Sequence, residues 1–370
     1  MPIYFSLFIL IAWGIIFLLH FVVYASAMRV FNTSLPYWSL ILGALSGSYL
    51  LASVLVRNFE STIADWFYFV AASWLGTIFI LFSCVALYEI IHLSTGFESA
   101  KIFLYLLIIA CGLAGYALYN GRTLTIREYI IPIKNLDHPL RIAHLSDIHV
   151  GTVHQQKYLS EIVTDTNSKK PDLVLITGDL FDGSAPIQPE TIASLKDLQA
   201  PTYITHGNHE FYEGLDYVRN TLKSLDLNLL EDSAVEIAGV QVLGLNDGKS
   251  IPRDQSLGEI LNSLPTSTTG TPRILMYHTP IEWEEARAHE VNLMLSGHTH
   301  NGQIFPFTLL VKLAFPYING LYEEDGKYLH VSPGTGTWGP PMRLGSRNQI
   351  TIINLVPLDT STATSSDGIK

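Results

Sequence analysis

The distribution of apolar residues changes character about a third of the way along the chain. Ile3–Ala25, Pro36–Val56, Trp66–Ile91 and Ile102–Tyr119 are four nearly unbroken apolar stretches, interrupted by one acidic residue, Glu89. Each is near the ~20 residues that cross a bilayer, so the pattern predicts four transmembrane helices. Trp13, Tyr37, Trp38, Trp66, Tyr68 and Tyr119 include several aromatics near the ends of these stretches, as an interfacial belt requires. The first stretch has no basic leader and is longer than the apolar part of a signal peptide, so it is expected to stay attached. Beyond Gly121 the long stretches give way to short apolar runs closed by Gly, Asn or Asp. Strands are predicted at Arg127–Ile133, Arg141–Leu145, Leu173–Ile176, Thr202–Thr205, Val235–Ile237, Val240–Leu245, Arg273–Met276, Val291–Leu295, Tyr328–Val331 and Ile350–Leu355. Helices are predicted between them at Gln156–Asn167, Pro189–Asp197, Tyr217–Leu225 and Ile281–Ala288. The organisation expected is a four-helix transmembrane region over 1–120, one α/β domain over 121–358, and a disordered Ser/Thr-rich tail over 359–370.

Five of the short runs end on polar blocks of one kind. They are Asp147-Ile148-His149, Gly178-Asp179-Leu180-Phe181-Asp182, Gly207-Asn208-His209-Glu210, His278, and Gly297-His298-Thr299-His300. Residues two apart on a strand point to the same side, so Asp147 and His149 can share one cation. Asp179, Asn208, His209, His298 and His300 follow predicted strands in the same manner, which delivers N and O donors to one rim. Two divalent cations about 3.5–4 Å apart acidify a water and neutralise a phosphoryl group, the two requirements for hydrolysing a phosphate ester at neutral pH. A donor set with a shared carboxylate, several imidazoles and one amide oxygen suits that pair.

These blocks resemble the calcineurin-like metallophosphoesterase superfamily, whose motifs run DxH, GDxxD, GNH(E/D), H and GHxH, over roughly Arg141 to Leu355. The run Gly297-His298-Thr299-His300-Asn301-Gly302-Gln303 is similar to that of its membrane-associated bacterial branch, with Asn301 in place of the usual Gly. The resemblance implies a two-sheet β-sandwich flanked by helices. It implies that Asp147, His149 and His300 bind one metal, that Asn208, His278 and His298 bind a second, and that Asp179 bridges them. It assigns His209 to the phosphate and the leaving group, and makes Asp182 and Glu210 groups that orient the ligands. Arg343, in a Gly/Pro-rich loop, is a candidate phosphate clamp, since a guanidinium offers a planar fork of donors. Two divalent ions are the expected cofactors, and a donor set without thiolate suits manganese, iron or zinc.

Charge and hydropathy narrow the partners. From Gly121 onward 19 Lys and Arg face 29 Asp and Glu, a net charge of about −10 with no basic stripe, so nucleic acid is not an expected partner. A lipid bilayer is expected, together with a phosphorylated substrate. The anchor and the resemblance together favour a lipid phosphoester or pyrophosphate such as UDP-2,3-diacylglucosamine. A tethered phosphodiesterase acting on soluble nucleotides and a non-catalytic sensor of a phosphorylated ligand stay open beside that reading. With four crossings the N-terminus and the α/β domain share a side, which carries Arg57, Arg122, Arg127 and Lys134 against Arg29 and Lys101 opposite. The positive-inside rule then favours a multi-pass protein of the bacterial inner membrane with its catalytic domain in the cytoplasm. Cys84 and Cys111 both fall in the apolar stretches, which excludes disulfides within the α/β domain. Ile304–Ile318 is apolar, too short to span, and next to the last paired histidines; it reads as a buried hairpin or as a loop lying against the bilayer.

Overall fold

A computed structural model describes residues 2–251, 253–265 and 270–358; the tail expected at 359–370 lies outside them. Four long helices come first: α1 (Pro2–Phe31), α2 (Trp38–Asn58), α3 (Thr62–Thr95) and α4 (Ala100–Asn120). Each contains a segment long and apolar enough to cross a membrane. Their ends are set by local chemistry. α3 stops at Gly96, whose φ of 69° is the left-handed conformation that closes a helix, and α4 starts at Ser99, whose hydroxyl accepts from the Ile102 amide. Leu18, Leu51, Leu87 and Ile108 stay exposed on the outer faces, as on helices solvated by lipid. At the end of the bundle away from the α/β domain, Arg29 donates to Glu89 at 2.6 Å and to Glu98 at 3.1 Å. Glu89 thus belongs to a network tying span ends together.

Among the described residues, the remainder supplies twelve strands. They are β1 (Leu124–Ile133), β2 (Leu140–Leu145), β3 (Leu173–Thr177), β4 (Thr202–Thr205), β5 (Asn228–Leu229), β6 (Ser233–Ile237), β7 (Val240–Gly244), β8 (Arg273–Met276), β9 (Leu293–Ser296), β10 (Gly320–Glu324), β11 (Lys327–Val331) and β12 (Asn348–Pro357). Short helices intervene: α5 (Gln156–Ser168), α6 (Pro189–Ile192), α7 (Asn208–Glu213), α8 (Leu215–Ser224), α9 (Leu257–Ser263), α10 (Trp283–Ala288) and α11 (Phe307–Ala314). One sheet runs β1-β12-β2-β3-β4-β5 and the other β10-β11-β9-β8-β7-β6. Alternation along each strand decides which layer a residue joins. Leu173 and Leu175 of β3 meet Val242, Ile274, Met276 and Leu293 between the sheets, while Val174 and Ile176 turn outward to Leu159, Ile162 and Val218 on the helices. On the opposite flank Leu243, Leu275 and Met294 pack with Leu257, Ile260 and Trp283. The result is helices, sheet, sheet, helices, as the sequence led one to expect.

The predicted strands all form, with ends shifted by up to three residues. β5 and β10 lack the apolar runs that announce a strand, and α9 lies in a stretch with no earlier reading. The helix predicted at Pro189–Asp197 divides into α6 and a tighter 3-10 turn, Ala193–Asp197. The hairpin considered for Ile304–Ile318 is absent; that segment contains α11, none of whose residues is buried.

The α/β domain sits on the spans through backbone contacts. The Arg343 amide donates to the Ala117 carbonyl of α4 at 2.9 Å, Asn120 donates to the carbonyls of Arg343 and Ser346, and Asn348 donates to that of Gly121. A Cβ on Gly121 would lie 2.5 Å from the Pro341 carbonyl oxygen, whereas one on Gly115 meets nothing. Helix propensity favours alanine inside α4, at Gly115, by up to about 1 kcal/mol, and Gly121 lies just past the helix end. Gly121→Ala should destabilise, by about 1–3 kcal/mol of overpacking, and Gly115→Ala should not. Thermal unfolding of the two variants in detergent separates them; equal midpoints would show that the contact is not tight.

Candidate metal centre

The site lies where the two sheets present the C-terminal ends of parallel strands on one edge. β2 leads to Asp147 and His149, β3 to Asp179, β4 to Asn208 and His209, β8 to His278, and β9 to His298 and His300. Five of these residues have left-handed backbones: Asp147 (φ 52°), His149 (52°), Asp179 (52°), His298 (67°) and His300 (49°). Non-glycine residues seldom adopt that region, and clustered strain of this kind marks functional sites. The glycines of the blocks are there for clearance. A Cβ on Gly207 would come 2.3 Å from Asp179 Oδ1, and one on Gly297 2.1 Å from Asp147 Oδ2. Asn301 has φ 50°, a conformation natural to glycine and tolerated by asparagine, so the departure from the branch motif leaves the loop's shape intact.

All seven expected ligands converge. His149 Nε2 and His300 Nε2 are 3.0 Å apart, and His300 Nε2 is 3.4 Å from Asp147 Oδ1. In a second cluster His298 Nδ1 is 2.9 Å from Asn208 Oδ1 and 3.3 Å from His278 Nε2. Asp179 Oδ2 is 3.1 Å from His278 Nε2 and 3.8 Å from His149 Nε2, and so faces both clusters. Cation–ligand bonds of about 2.0–2.2 Å set neighbouring donors roughly 3.0–3.4 Å apart, which is the spacing found within each cluster. Other hydrogen bonds aim the rings. His278 Nδ1 faces the Thr177 carbonyl at 2.8 Å, so Nδ1 carries the proton and Nε2 turns its lone pair inward. His149 Nδ1 is buried without a hydrogen-bond partner, 3.6 Å from Asp182 Oδ1. This donor set fits a pair of divalent cations.

Burial dominates the electrostatics. It pushes the Asp147 carboxyl up to about 6 and the His298 imidazole down to about 4. His149 and His300 fall well below the usual imidazole range through burial and their cationic or imidazole neighbours, leaving them in the neutral form that binds metals. His278 moves the other way: burial opposes its charge, but the adjacent Asp179 carboxylate holds it well above the ordinary value. For Asp179, burial is outweighed by His278 and His209, which keep the carboxyl well below its normal range.

His209 lies over His149, with ring centroids 4.6 Å apart, and its Nδ1 donates to the Asp182 carbonyl. Burial lowers its pKa, but the Asp179 and Asp182 carboxylates more than compensate and raise it above the ordinary imidazole value. Tyr212 and Trp338, both exposed, flank the ring. The Asp182 carboxylate accepts from Ser184 and faces His149.

Arg343 is put to a different use from the phosphate clamp considered above. It is fully buried, and its fork is spent on the protein: Nε on Asn348, Nη1 on the His300 carbonyl and Ser346, Nη2 on the Gly336 carbonyl beside His300 Nδ1. Buried among these partners, the side chain positions the His300 loop. Of the other histidines, His144 and His330 pair with each other at 2.9 Å and His154 bonds Thr337, all buried. Asp247 escaped the sequence reading. It is fully buried, accepts from Thr279, leaves Oδ2 without a partner, and its charge reaches His278 and His298. The signal was available, because Asp247 follows the apolar run of β7 just as Asp179 follows β3.

Residues 140–302 match the model of the calcineurin-like phosphoesterase family, and the chain belongs to that family. A metallophosphoesterase of Helicobacter pylori is 36% identical over 236 residues, 63% of this chain, and the chain spans only 64% of that relative's length. A transmembrane protein with metallophosphoesterase domain from Danio rerio is 31% identical over 348 residues, covering 85% of this chain and 79% of the relative. A metallophosphoesterase of Aquifex aeolicus is 33% identical over 259 residues, covering 67% of this chain and 98% of the relative.

The strained loops depend on Glu210. Its buried carboxylate accepts from the amides of Asp179 (2.9 Å), Leu180 (2.8 Å), Phe181 (3.2 Å) and Gly207 (2.7 Å). Glu210→Gln keeps the shape but turns an amide N–H₂ toward backbone donors. With hydrogen bonds to a charged group contributing about 1.5–3 kcal/mol each and stranded donors about 1–3, the metal-free variant should lose about 2–4 kcal/mol of stability. Cation affinity should fall roughly 10–100-fold. Thermal unfolding without metal and a metal titration measure the two effects; a variant with unaltered melting would show that the carboxylate is dispensable.

Proposed function

We propose that this chain is a membrane-anchored, dinuclear metal-dependent phosphohydrolase that cleaves a phosphoester or pyrophosphate bond. The observation that carries the reading is the convergence of Asp147, His149 and His300 on one side and Asn208, His278 and His298 on the other, with Asp179 facing both. In the proposal each triad holds one divalent ion, manganese, iron or zinc, and Asp179 bridges them. When bound, the ions acidify the attacking water and neutralise charge on the phosphoryl oxygens.

The protein's own groups do the rest. His209, whose imidazolium form the Asp179 and Asp182 carboxylates favour against the effect of burial, contacts the phosphate and donates its proton to the departing oxygen from Nε2, while the Asp182 carbonyl fixes the ring through Nδ1. Asp182 and Glu210 hold the ligand loops, and Arg343 anchors His300. Fixed dipoles and buried imidazoles around the centre keep the ligand atoms from reorganising as charge develops.

For the substrate we favour a lipid-linked phosphate. The loops bearing the ligands rest on the spans: Arg57 of α2 donates to the Gly183 carbonyl at 3.0 Å, and Val153 and Ala185 pack on Ala52, Val56, Tyr68 and Ala72. A phosphate carried by a bilayer lipid then needs to travel little to reach the centre. UDP-2,3-diacylglucosamine is one candidate of this chemistry. In a bacterial inner membrane, the basic residues on the domain's side would favour a cytoplasmic centre. Assays of the full chain with manganese against a lipid pyrophosphate, a soluble nucleotide and a model diester decide the class. Preference for the nucleotide would reduce the spans to a tether, and no turnover of any would favour a sensor.

Metal analysis of loaded protein should give about two ions per chain, with uptake weakening as pH falls and first His278 and then Asp147 takes a proton; a single ion would sink the proposal. His209→Ala should keep both ions but lose about 10²–10⁴-fold in turnover of an ester with a poor leaving group. With p-nitrophenolate, which leaves without a proton, the loss should be much smaller. Equal losses on both esters would take proton donation away from His209.

A further inference from the structure

The segment following the paired histidines has an unusual surface. α11 buries no residue, and Phe305, Phe307, Leu309, Leu310 and Leu313 are all exposed, Leu313 at 84%. Only one of its eight residues is charged, Lys312. An apolar patch of this kind facing water is rare in a monomeric protein and calls for an occupant.

The spans identify that occupant. Phe307 meets Phe79 of α3 edge-on, with ring centroids 6.3 Å apart. Ile304 and Met342 pack with Ile80, Ala110, Ala114 and Ala117, and Gly76 leaves room for Met342, Pro340 and Ile304. Tyr68, Ala72 and Gly76 of α3 face the α/β domain, while Ile80 packs on Ala110, Ala114 and Ala117 of α4, so Phe79 lies where the apolar span of α3 emerges from the domain's cover, and Phe307 touches it there. The exposed face of α11 therefore continues the lipid-facing surface of the bundle.

We propose that α11, together with Phe305, is inserted into the hydrocarbon region of the bilayer from the side of the α/β domain, as a membrane element that does not span. Its occupant is lipid acyl chain. A helix is suited to that place because its backbone groups are bonded within the segment, and the Lys312 stem is long enough to carry its ammonium back to the headgroups. The far end of α11 abuts the metal centre: the Phe315 ring is 5.4 Å from that of His298, with Lys249 Nζ 4.4 Å from the Phe315 centroid. The placement of α11 stands apart from the hydrolase reading and is tested without an activity assay.

Full-length protein carrying Cys84→Ala and Cys111→Ala, reconstituted in phosphatidylcholine–phosphatidylglycerol vesicles, receives a nitroxide at Leu310→Cys. Ile108→Cys, on the outer face of α4, serves as the lipid reference, and Glu236→Cys, exposed on β6, as the aqueous one. Collisions with oxygen should exceed those with a water-soluble nickel complex severalfold at Leu310→Cys, as at Ile108→Cys, and the ratio should invert at Glu236→Cys. A Leu310→Cys ratio matching Glu236→Cys overturns the proposal. So does protection from both quenchers, which would mean that a second copy of the chain covers the helix. Leu313→Cys provides the same reading should Leu310→Cys fail to fold.

Discussion

Two aspartates, four histidines and an asparagine held within a few ångströms of one another, almost without water, form an arrangement that an isolated chain would avoid. Burial disfavours every charge in it, the imidazoles repel one another when protonated, and five of the residues sit in a backbone region that costs on the order of 1–3 kcal/mol each. Much of the domain can be understood as what makes this tolerable. Two parallel-strand edges meet at one rim, a single glutamate gathers four backbone amides behind the aspartate loop, and glycines clear the space where a methyl group would strike a carboxylate. The proposed divalent cations would supply the positive charge that the cluster is otherwise arranged to lack.

The candidate site was legible because its expected ligands follow strand-like runs in short, distinctive blocks. Asp147, His149, Asp179, Asn208, His278, His298 and His300 could be picked out because each stands at or just beyond a run whose period already placed it on a common edge. Arg343 could not be read this way. Nothing in a Gly/Pro-rich loop distinguishes a guanidinium that meets solvent from one that braces carbonyl oxygens from within, since the difference lies in partners such as Asn348 and the His300 carbonyl that only folding assembles. Asp247 was missed for a smaller reason: without a neighbouring histidine, a lone aspartate after a strand looks like an ordinary turn residue.

The strands and helices were equally accessible from their apolar runs, whereas their arrangement in two layered sheets was implied by the family resemblance. The segment after His300 was not legible. An apolar run of that length is compatible with strand, helix or loop, and its period resolves only once a second apolar surface, that of α3 and α4, is set beside it. Membrane-spanning and catalytic halves therefore share one structural problem. Loops that carry the candidate metal ligands pack directly on the ends of the spans, through Gly183 on Arg57 and Val153 on the α2–α3 pair.

The bond from the Arg343 amide to the Ala117 carbonyl has a mechanical corollary. The same residue grips the carbonyl of His300 with its guanidinium, so a vertical slide or tilt of α4 is passed within one side chain's reach to a metal-facing imidazole. Hydrophobic thickness sets how such a helix rests in its membrane. A change in how α4 rests in its membrane would therefore reach the His300 loop through Arg343 alone, without any ligand binding there.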